Sequence, residues 1–467
     1  MSDRFRVLSL LILGGLAASA ILGAIPSNRV PAFLASPRPV PPGLVNRFEN
    51  PSRVRSNSIN QVRDGAKSGN DQFIIYTKPN GEVVCREATA EEKRQMADYD
   101  RESLGLRAIN HLDTAGKAGQ IQPDAAPNLT IVLRATQQLQ QNPTATNAFI
   151  RAARNWEDII KSPITIYIDV DFGTTNFGQT WPTGVLGATG APSGPYPYQS
   201  VRTNLIAEAN GEGNATKQGI FNALPATTLP TDVGDSSSTH VSDSNARALG
   251  LLPATAQSTD DAARIAFNSN FTFDFDPSDG VTIGQIDFDA VATHEIGHAL
   301  GFHSEAGTSL ARPAVWDLYR FRTGTTTNTF TNAQRILTIG GSPDPLQFYF
   351  VPGNSELGLA TGGPAGSISN GGDGFQSSHW QNVATCSGYI GIMDPALPTG
   401  CRRAITSSDT LALTSFGYNL TNNNPPPPPP PPPAAPANDN FANAQAISGC
   451  SGSVTGTNFS ATSESGE

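Results

Sequence analysis

Two histidines and a glutamate form a compact motif in the second half of the chain, His294-Glu295-Ile296-Gly297-His298. On a helix, residues four apart lie on one face, so His294 and His298 can point at a single metal ion. Glu295 lies beside them, where a carboxylate can take a proton from a water bound to the metal. Two imidazoles and one further ligand leave a coordination position open, which is the catalytic arrangement of zinc.

The residues around this motif predict the helix that it requires. Asp287 or Asp289 can cap the helix start with a side-chain oxygen, and Val291 begins an apolar face. Gly301 can end the helix, because glycine readily adopts positive φ at a helix C-terminus. The chain has only six histidines, and two of them fall in this frame. We therefore favour a metal site over two packed or exposed helix histidines.

The third ligand does not stand where the common pattern HExxHxxGxxH places a histidine, three residues after the glycine. That position is Ser304 here, with His303 one residue early and Glu305 one residue late. Ligand distance and direction around zinc are tightly fixed, so a shift of one residue matters. The local pattern therefore favours a third ligand from elsewhere in the chain, with His303 and Glu305 as open alternatives.

Two distant residues are candidates for the third ligand. Asp317 follows His298 by 19 residues, near the spacing at which gluzincins place a carboxylate ligand. Its other interpretation is a structural carboxylate that pairs with Arg320 or Arg322. His379 follows His298 by 81 residues, in the segment Ser-Ser-His-Trp. Its other interpretation is a surface or packed histidine in a glycine-rich loop.

A methionine segment at residues 390–395, Ile-Gly-Ile-Met-Asp-Pro, follows the second candidate. It looks like the methionine turn that passes beneath the zinc in metzincins. The order HEIGHALGF, a long insertion, SSHW and IMDPALPTG resembles the leishmanolysin-like metzincins over about residues 125–420. The resemblance implies that His294, His298 and His379 are the zinc ligands. It also implies that Glu295 is the general base and that Met393 is the turn methionine.

The resemblance implies an α+β fold, with a mixed twisted sheet, an active-site helix and a Met-turn subdomain. The hydrophobic pattern agrees, because it predicts a strand at 129–133, a helix at about 146–160 and a strand at 164–170. Residues 172–260 are rich in Gly, Thr, Asn and Ser, and are predicted to be a surface insertion. Residues 263–268 are predicted to be the edge strand along the cleft, to which an extended substrate would add.

Composition and pattern divide the chain into five segments. Residues 1–24 are predicted to be an export signal, with an uncleaved anchor as the alternative. Nine consecutive prolines, from 425 to 433, predict a stiff polyproline spacer. The predicted segments are a signal peptide at 1–24, an N-terminal lead or pro-region at 25–124, a zinc metallopeptidase domain at 125–424, a polyproline linker at 425–437, and the start of a C-terminal β-sandwich module at 438–467.

The cysteines fit an exported protein, in which disulfides persist. Cys386 and Cys401 lie 15 positions apart on either side of the methionine segment, and are predicted to be bridged. Cys85 has no evident partner, and one alternative for it is a latency ligand, supplied to the zinc by a pro-segment. Asp274, Asp276 and Asp279 lie in a turn-rich loop that leaves a calcium site open as an alternative.

Together these features predict a secreted zinc-dependent endopeptidase that hydrolyses peptide bonds through a zinc-activated water, with Glu295 as general base. Its partners would be protein or peptide substrates. The net charge of −10 and the pI near 5.1 argue against a nucleic-acid partner. No segment after the signal is long and apolar enough for stable membrane insertion. The rival hypothesis is an exported binding or adhesion protein with a non-catalytic zinc site.

Overall fold

The computed structural model describes ten stretches of the chain, and the statements below concern these: 69–78, 82–95, 101–111, 128–257, 262–276, 278–308, 312–340, 346–362, 372–383 and 385–420. The predicted signal peptide, polyproline linker and C-terminal module lie outside the described residues. Contacts divide the chain into Met1–Arg55 and Ser56–Glu467, and all described residues belong to the second unit. None of the described helices is long and apolar enough to cross a membrane.

Sixteen short and long strands alternate with helices, which confirms the α+β class predicted from the sequence. In chain order the strands are β1 Gly69–Thr77, β2 Val83–Glu87, β3 Arg107–Ala108, β4 Thr130–Ala135, β5 Thr165–Gly173, β6 Thr175–Asn176, β7 Gln179–Thr180, β8 Val185–Pro197, β9 Ser238–Ser242, β10 Ala263–Asn268, β11 Phe273–Asp274, β12 Ile286–Asp287, β13 Arg320–Phe321, β14 Gln347–Tyr349, β15 Leu357–Leu359 and β16 Ala396–Leu397. The helices are α1 Ala90–Gln95, α2 Gln137–Gln140, α3 Pro143–Glu157, α4 Tyr198–Glu212, α5 Ala215–Asn222, α6 Asp243–Ala248, α7 Phe288–Ala299 and α8 Ser407–Ser415, with a 3-10 turn at Trp316–Tyr319.

Nine of these strands form one mixed sheet in the order β16-β2-β1-β8-β10-β5-β4-β3, with β9 also paired to β8. The strands β4, β5 and β10 run parallel, while β8 is antiparallel to both β10 and β1. Almost every residue of β5 is buried, as expected for a parallel strand with both sheet faces covered. The predicted strands at 129–133 and 164–170 correspond to β4 and β5.

Two predictions about the sheet are wrong. Residues 263–268 form β10, which lies between β5 and β8 and is not an edge strand. Residues 172–260 are not a surface insertion, because they include β8 and β9 of the main sheet and the helices α4, α5 and α6. The reason is composition: β8 consists largely of Gly, Ala and Pro, so it lacks the apolar alternation that identifies strands, yet nearly all of it is buried.

Helix α3 packs against the motif helix α7 and fixes its position. The Nε1–H of Trp156 donates to the carbonyl of Thr293 at 2.9 Å, and Arg151 pairs with Asp289 at 2.7 Å. At the start of α7 the side chain of Asp287 caps the helix by accepting from the Ala290 N–H. Gly301 follows the helix with φ at +111°, as predicted for its end.

Cys386 and Cys401 are bonded to each other, as predicted, with their Cα atoms 5.0 Å apart. The bridge closes a loop that contains the methionine segment and β16. The Cys401 side chain is buried, whereas Cys386 is exposed. The bridge therefore joins the surface end of the loop to the core.

Replacing both bridge cysteines, as Cys386→Ser/Cys401→Ser, should lower the free energy of unfolding by about 3 kcal/mol, because the unfolded chain regains the entropy of a 15-residue loop. Chemical denaturation of the variant, beside the parent with and without reductant, measures this. The reduced parent should unfold like the variant. Equal stability of the variant and the oxidised parent would contradict a structural bridge.

Candidate metal centre

Three histidines from two distant parts of the chain meet beneath the hairpin formed by β1 and β2. His294 and His298 lie one turn apart on α7, and His379 comes from the loop before the methionine segment. The Nε2 atoms of His294 and His379 are 3.2 Å apart, and all three side chains are buried. The structure therefore brings together the three residues that the sequence predicted as metal ligands.

Each of the three rings is oriented by its other nitrogen. The Nδ1 atoms contact backbone carbonyl oxygens, His294 that of Ile392 at 2.8 Å, His298 that of Phe302 at 2.7 Å and His379 that of Gln376 at 2.9 Å. A carbonyl only accepts hydrogen bonds, so each Nδ1 carries the proton and donates. The neutral rings then direct their Nε2 lone pairs into the shared space, as metal-binding histidines do.

Burial keeps these rings uncharged. It lowers the pKa of His294 to about 4, and it lowers the pKa values of His298 and His379 well below that of a free histidine. Two neutral rings whose Nε2 lone pairs face each other at 3.2 Å repel each other. A cation between them removes that repulsion, so the donor set fits a divalent metal, for which imidazole nitrogen is a preferred ligand.

Cys85 of β2 is the fourth member of this group. Its Sγ is 3.7 Å from Nε2 of His298, and one ligand atom from each of the four side chains lies within 4.8 Å of the others. Burial is the largest cause that raises the pKa of the Cys85 thiol, and the Glu295 carboxylate raises it further. A bound cation would oppose both effects, because it favours the thiolate.

Glu295 lies next to the histidines without being one of the group. Its Oε1 is 3.9 Å from Nε2 of His294, and its Oε2 is buried with no hydrogen-bond partner among the described residues. Burial raises the pKa of this carboxyl to about 8. A buried polar atom without a partner is costly to the fold. A hydrogen bond with the Thr189 side chain lowers the pKa of this carboxyl, but burial outweighs it.

Met393 lies beneath the motif helix, where the sequence predicted a turn methionine. Its side chain is fully buried, and a Cβ added to Gly297 of α7 would overlap its sulfur. The glycine of the motif therefore lets the methionine segment approach the helix. The preceding residue, Ile392, supplies the carbonyl that orients His294.

The other candidates for the third ligand lie elsewhere. The Asp317 carboxylate accepts from Ser304 Oγ at 2.6 Å, from the Glu305 N–H at 2.8 Å and from Arg320 Nε at 3.0 Å. It is the structural carboxylate of the alternative interpretation, paired with Arg320. His303 and Glu305 belong to a separate group with His240. None of these residues joins the three histidines.

The aspartates considered for calcium hold a turn together. Asp274 accepts from the N–H groups of Asp276 and Thr282, and Asp276 accepts from the N–H and hydroxyl of Ser278. The metal-ligand groups in the described part of the chain do not include them. A calcium ion here stays a prediction.

The hairpin covers the three histidines. The Phe73 ring stacks on His298 with centroids 3.9 Å apart. Along its two sides the hairpin pairs antiparallel with β8 and with β16, and the Cys85 N–H donates to the Pro395 carbonyl. Beside Glu295 a cavity is lined by apolar side chains of the hairpin, of α7 and of β16, among them Ile75, Val291 and Leu397.

Comparison of this chain with protein-family models, with curated proteins and with solved structures finds no match in any of the three. The interpretation of the site therefore depends on its geometry and on the sequence motifs.

His379→Ala should lower metal retention at the three histidines, since it removes one of the converging imidazoles, whereas Asp317→Asn should retain the metal there because its carboxylate bonds only to other protein groups. Zinc per folded chain after dialysis, measured by elemental analysis of the gel-filtered monomer peak, tests this. Retention in His379→Ala together with loss in Asp317→Asn would reverse the assignment.

Proposed function

We propose that this chain is a secreted zinc endopeptidase, similar to the leishmanolysin-like metzincins, which hydrolyses peptide bonds in protein or peptide substrates. The observation that carries the proposal is the pairing of two features on one helix. Three imidazole lone pairs converge on a point, and a buried carboxyl with a partnerless oxygen lies beside that point. The motif sequence HEIGHALGF, the segment SSHW and the turn IMDP support the same conclusion.

In the proposed mechanism His294, His298 and His379 hold the zinc. Zinc, when bound, supplies Lewis acidity, which polarises a carbonyl and makes water more acidic. Glu295 accepts a proton from the attacking water at its partnerless oxygen, and then delivers a proton to the nitrogen of the leaving amine. Burial raises the pKa of Glu295 to about 8, and a zinc ion beside it would lower that pKa again, towards values at which the carboxylate can accept a proton at neutral pH.

The substrate main chain has a natural partner in β8. In the present structure β1 occupies this strand by antiparallel pairing over most of its length. An extended peptide would make the same main-chain hydrogen bonds if it replaced β1. The walls of the cavity that do not belong to the hairpin, among them Val291 and Leu397 beside the charged Asp394 and Arg403, would then face one substrate side chain.

The rival hypothesis, a binding protein with a non-catalytic zinc site, has one observation in its favour. With Cys85, the centre has four protein ligands, which is typical of structural zinc. Two features favour the enzyme. Glu295 has no purpose in a structural site, and Cys85 lies on a hairpin in the N-terminal lead, outside the segment that carries the motifs. We propose that the full chain is the latent form and that departure of the hairpin opens the fourth position.

Glu295→Gln should retain zinc and abolish turnover, with a loss of at least about a hundred-fold, because it removes the proton acceptor and leaves all metal ligands in place. Cleavage of an unstructured protein such as casein is measured in the Cys85→Ser background. Asp289→Asn is the matched control, because this carboxylate of the same helix pairs with Arg151. Unchanged turnover in Glu295→Gln would exclude the mechanism.

Cys85→Ser should raise cleavage by the full chain at least about ten-fold over the parent, since the hydroxyl is a much weaker zinc ligand than the thiolate. The initial rate of casein cleavage at equal zinc content checks this. Cleavage by neither protein, even after limited proteolysis within residues 78–82 of the hairpin, would favour the binding protein. Equal activity of parent and variant would leave the enzyme and exclude Cys85 as its inhibitor.

A further inference from the structure

A second group of metal-ligand side chains lies outside the centre described above. It joins His240 of β9 to His303 and Glu305 of the loop after α7, and one ligand atom from each lies within 4.8 Å of the others. Glu305 Oε1 is 3.0 Å from His303 Nε2 and 3.8 Å from His240 Nδ1. The three side chains are 12% exposed or less.

We propose that His240, His303 and Glu305 bind a second divalent transition-metal ion of the zinc class. Two imidazoles and one carboxylate are a ligand set that zinc and its neighbours accept. Tetrahedral ligands about 2.0–2.1 Å from a zinc ion are roughly 3.3–3.4 Å apart. The two distances to Glu305 Oε1, 3.0 and 3.8 Å, lie on either side of that spacing. An ion therefore fits between these atoms with small side-chain adjustments.

Neighbouring groups hold the proposed ligands in this orientation. The Ser193 hydroxyl is 2.8 Å from Nε2 of His240, which directs Nδ1 of that ring towards Glu305. The backbone N–H of Glu305 donates to Asp317, and the hydroxyl of Thr308 donates to Glu305 Oε2 at 2.7 Å. The carboxylate is thereby turned so that Oε1 faces the two histidines. Such outer contacts are typical of metal ligands.

The second group lies next to the first without sharing a ligand. Phe73 stacks on His298 and makes an edge contact with His303, at a centroid distance of 6.2 Å. A metal at the second group would link β9, which pairs with β8, to the loop that leaves the motif helix. It would therefore stabilise the position of β8, the strand that we propose as the substrate-binding edge. A metal-free network of hydrogen bonds among the same residues is the competing interpretation.

Zinc content of the full chain separates the two interpretations. After zinc loading and dialysis, the parent should hold two zinc ions per folded chain, and His240→Ala and Glu305→Gln should each hold one. His111→Asn is the matched control, because that histidine pairs with Glu157 outside both groups and the variant should hold two. One ion in the parent, with no change in His240→Ala, would overturn the proposal.

Cobalt binding to the parent protein tests the second site even if a variant fails to fold. Titration of the metal-free parent with Co²⁺ should show two equivalents, of which one produces a thiolate-to-cobalt charge-transfer band through Cys85 and the other does not. Cys85→Ser should lose that band and keep both equivalents in the d–d absorption. Saturation at a single equivalent, with all absorption changes in parallel, would exclude the second site. This result does not depend on whether the chain cleaves peptides.

Discussion

The orientation of the three clustered histidines depends on three hydrogen bonds made by the ring nitrogens that face away from the cluster. The Nδ1–H group of each imidazole donates a hydrogen bond to a main-chain carbonyl. Because Nδ1 carries the proton in each ring, the three Nε2 lone pairs face one another. Side-chain partners would be easier to lose by mutation, whereas carbonyls are fixed by the fold itself. The three carbonyls lie in separate loops, so the fold must hold those loops in fixed positions relative to one another. Much of the surrounding packing holds these loops in place.

One buried carboxylate holds two of those loops together. Asp409, in the first turn of α8, accepts from the indole N–H of Trp380 and from the backbone N–H of Ile392, both at 2.8 Å. Trp380 follows His379 directly, and Ile392 supplies the carbonyl for His294. Burial raises the pKa of Asp409, while its several donors lower it. The same carboxylate completes the capping box of α8 with Thr406, so the helix end, the third histidine and the methionine segment form one unit.

The sequence predicted what is encoded locally. The motif helix, its Asp287 cap, its end at Gly301 and the short disulfide loop each depend on residues close together in the chain. The strand β8 was missed, because its small residues are selected by close packing on both sides. A Cβ at Gly187 would overlap Phe267 and Ile75. This close packing cannot be inferred from the sequence, because it depends on which strands are neighbours. The sequence left a contact between Cys85 and the metal-ligand histidines only as an alternative, because 213 positions separate Cys85 from His298.

The position of Cys85 follows from the two strands, β8 and β16, with which the hairpin forms main-chain hydrogen bonds. One side of the hairpin completes β8, and the other completes the two-residue strand β16 behind the methionine segment. Both surfaces would otherwise be open strand edges, which attract other extended chains. The hairpin covers both edges, and Cys85 of β2 thereby lies against His298. Under the proposed function, the edges that hold the hairpin are the edges that would hold a substrate, so latency and substrate binding would use the same main-chain contacts.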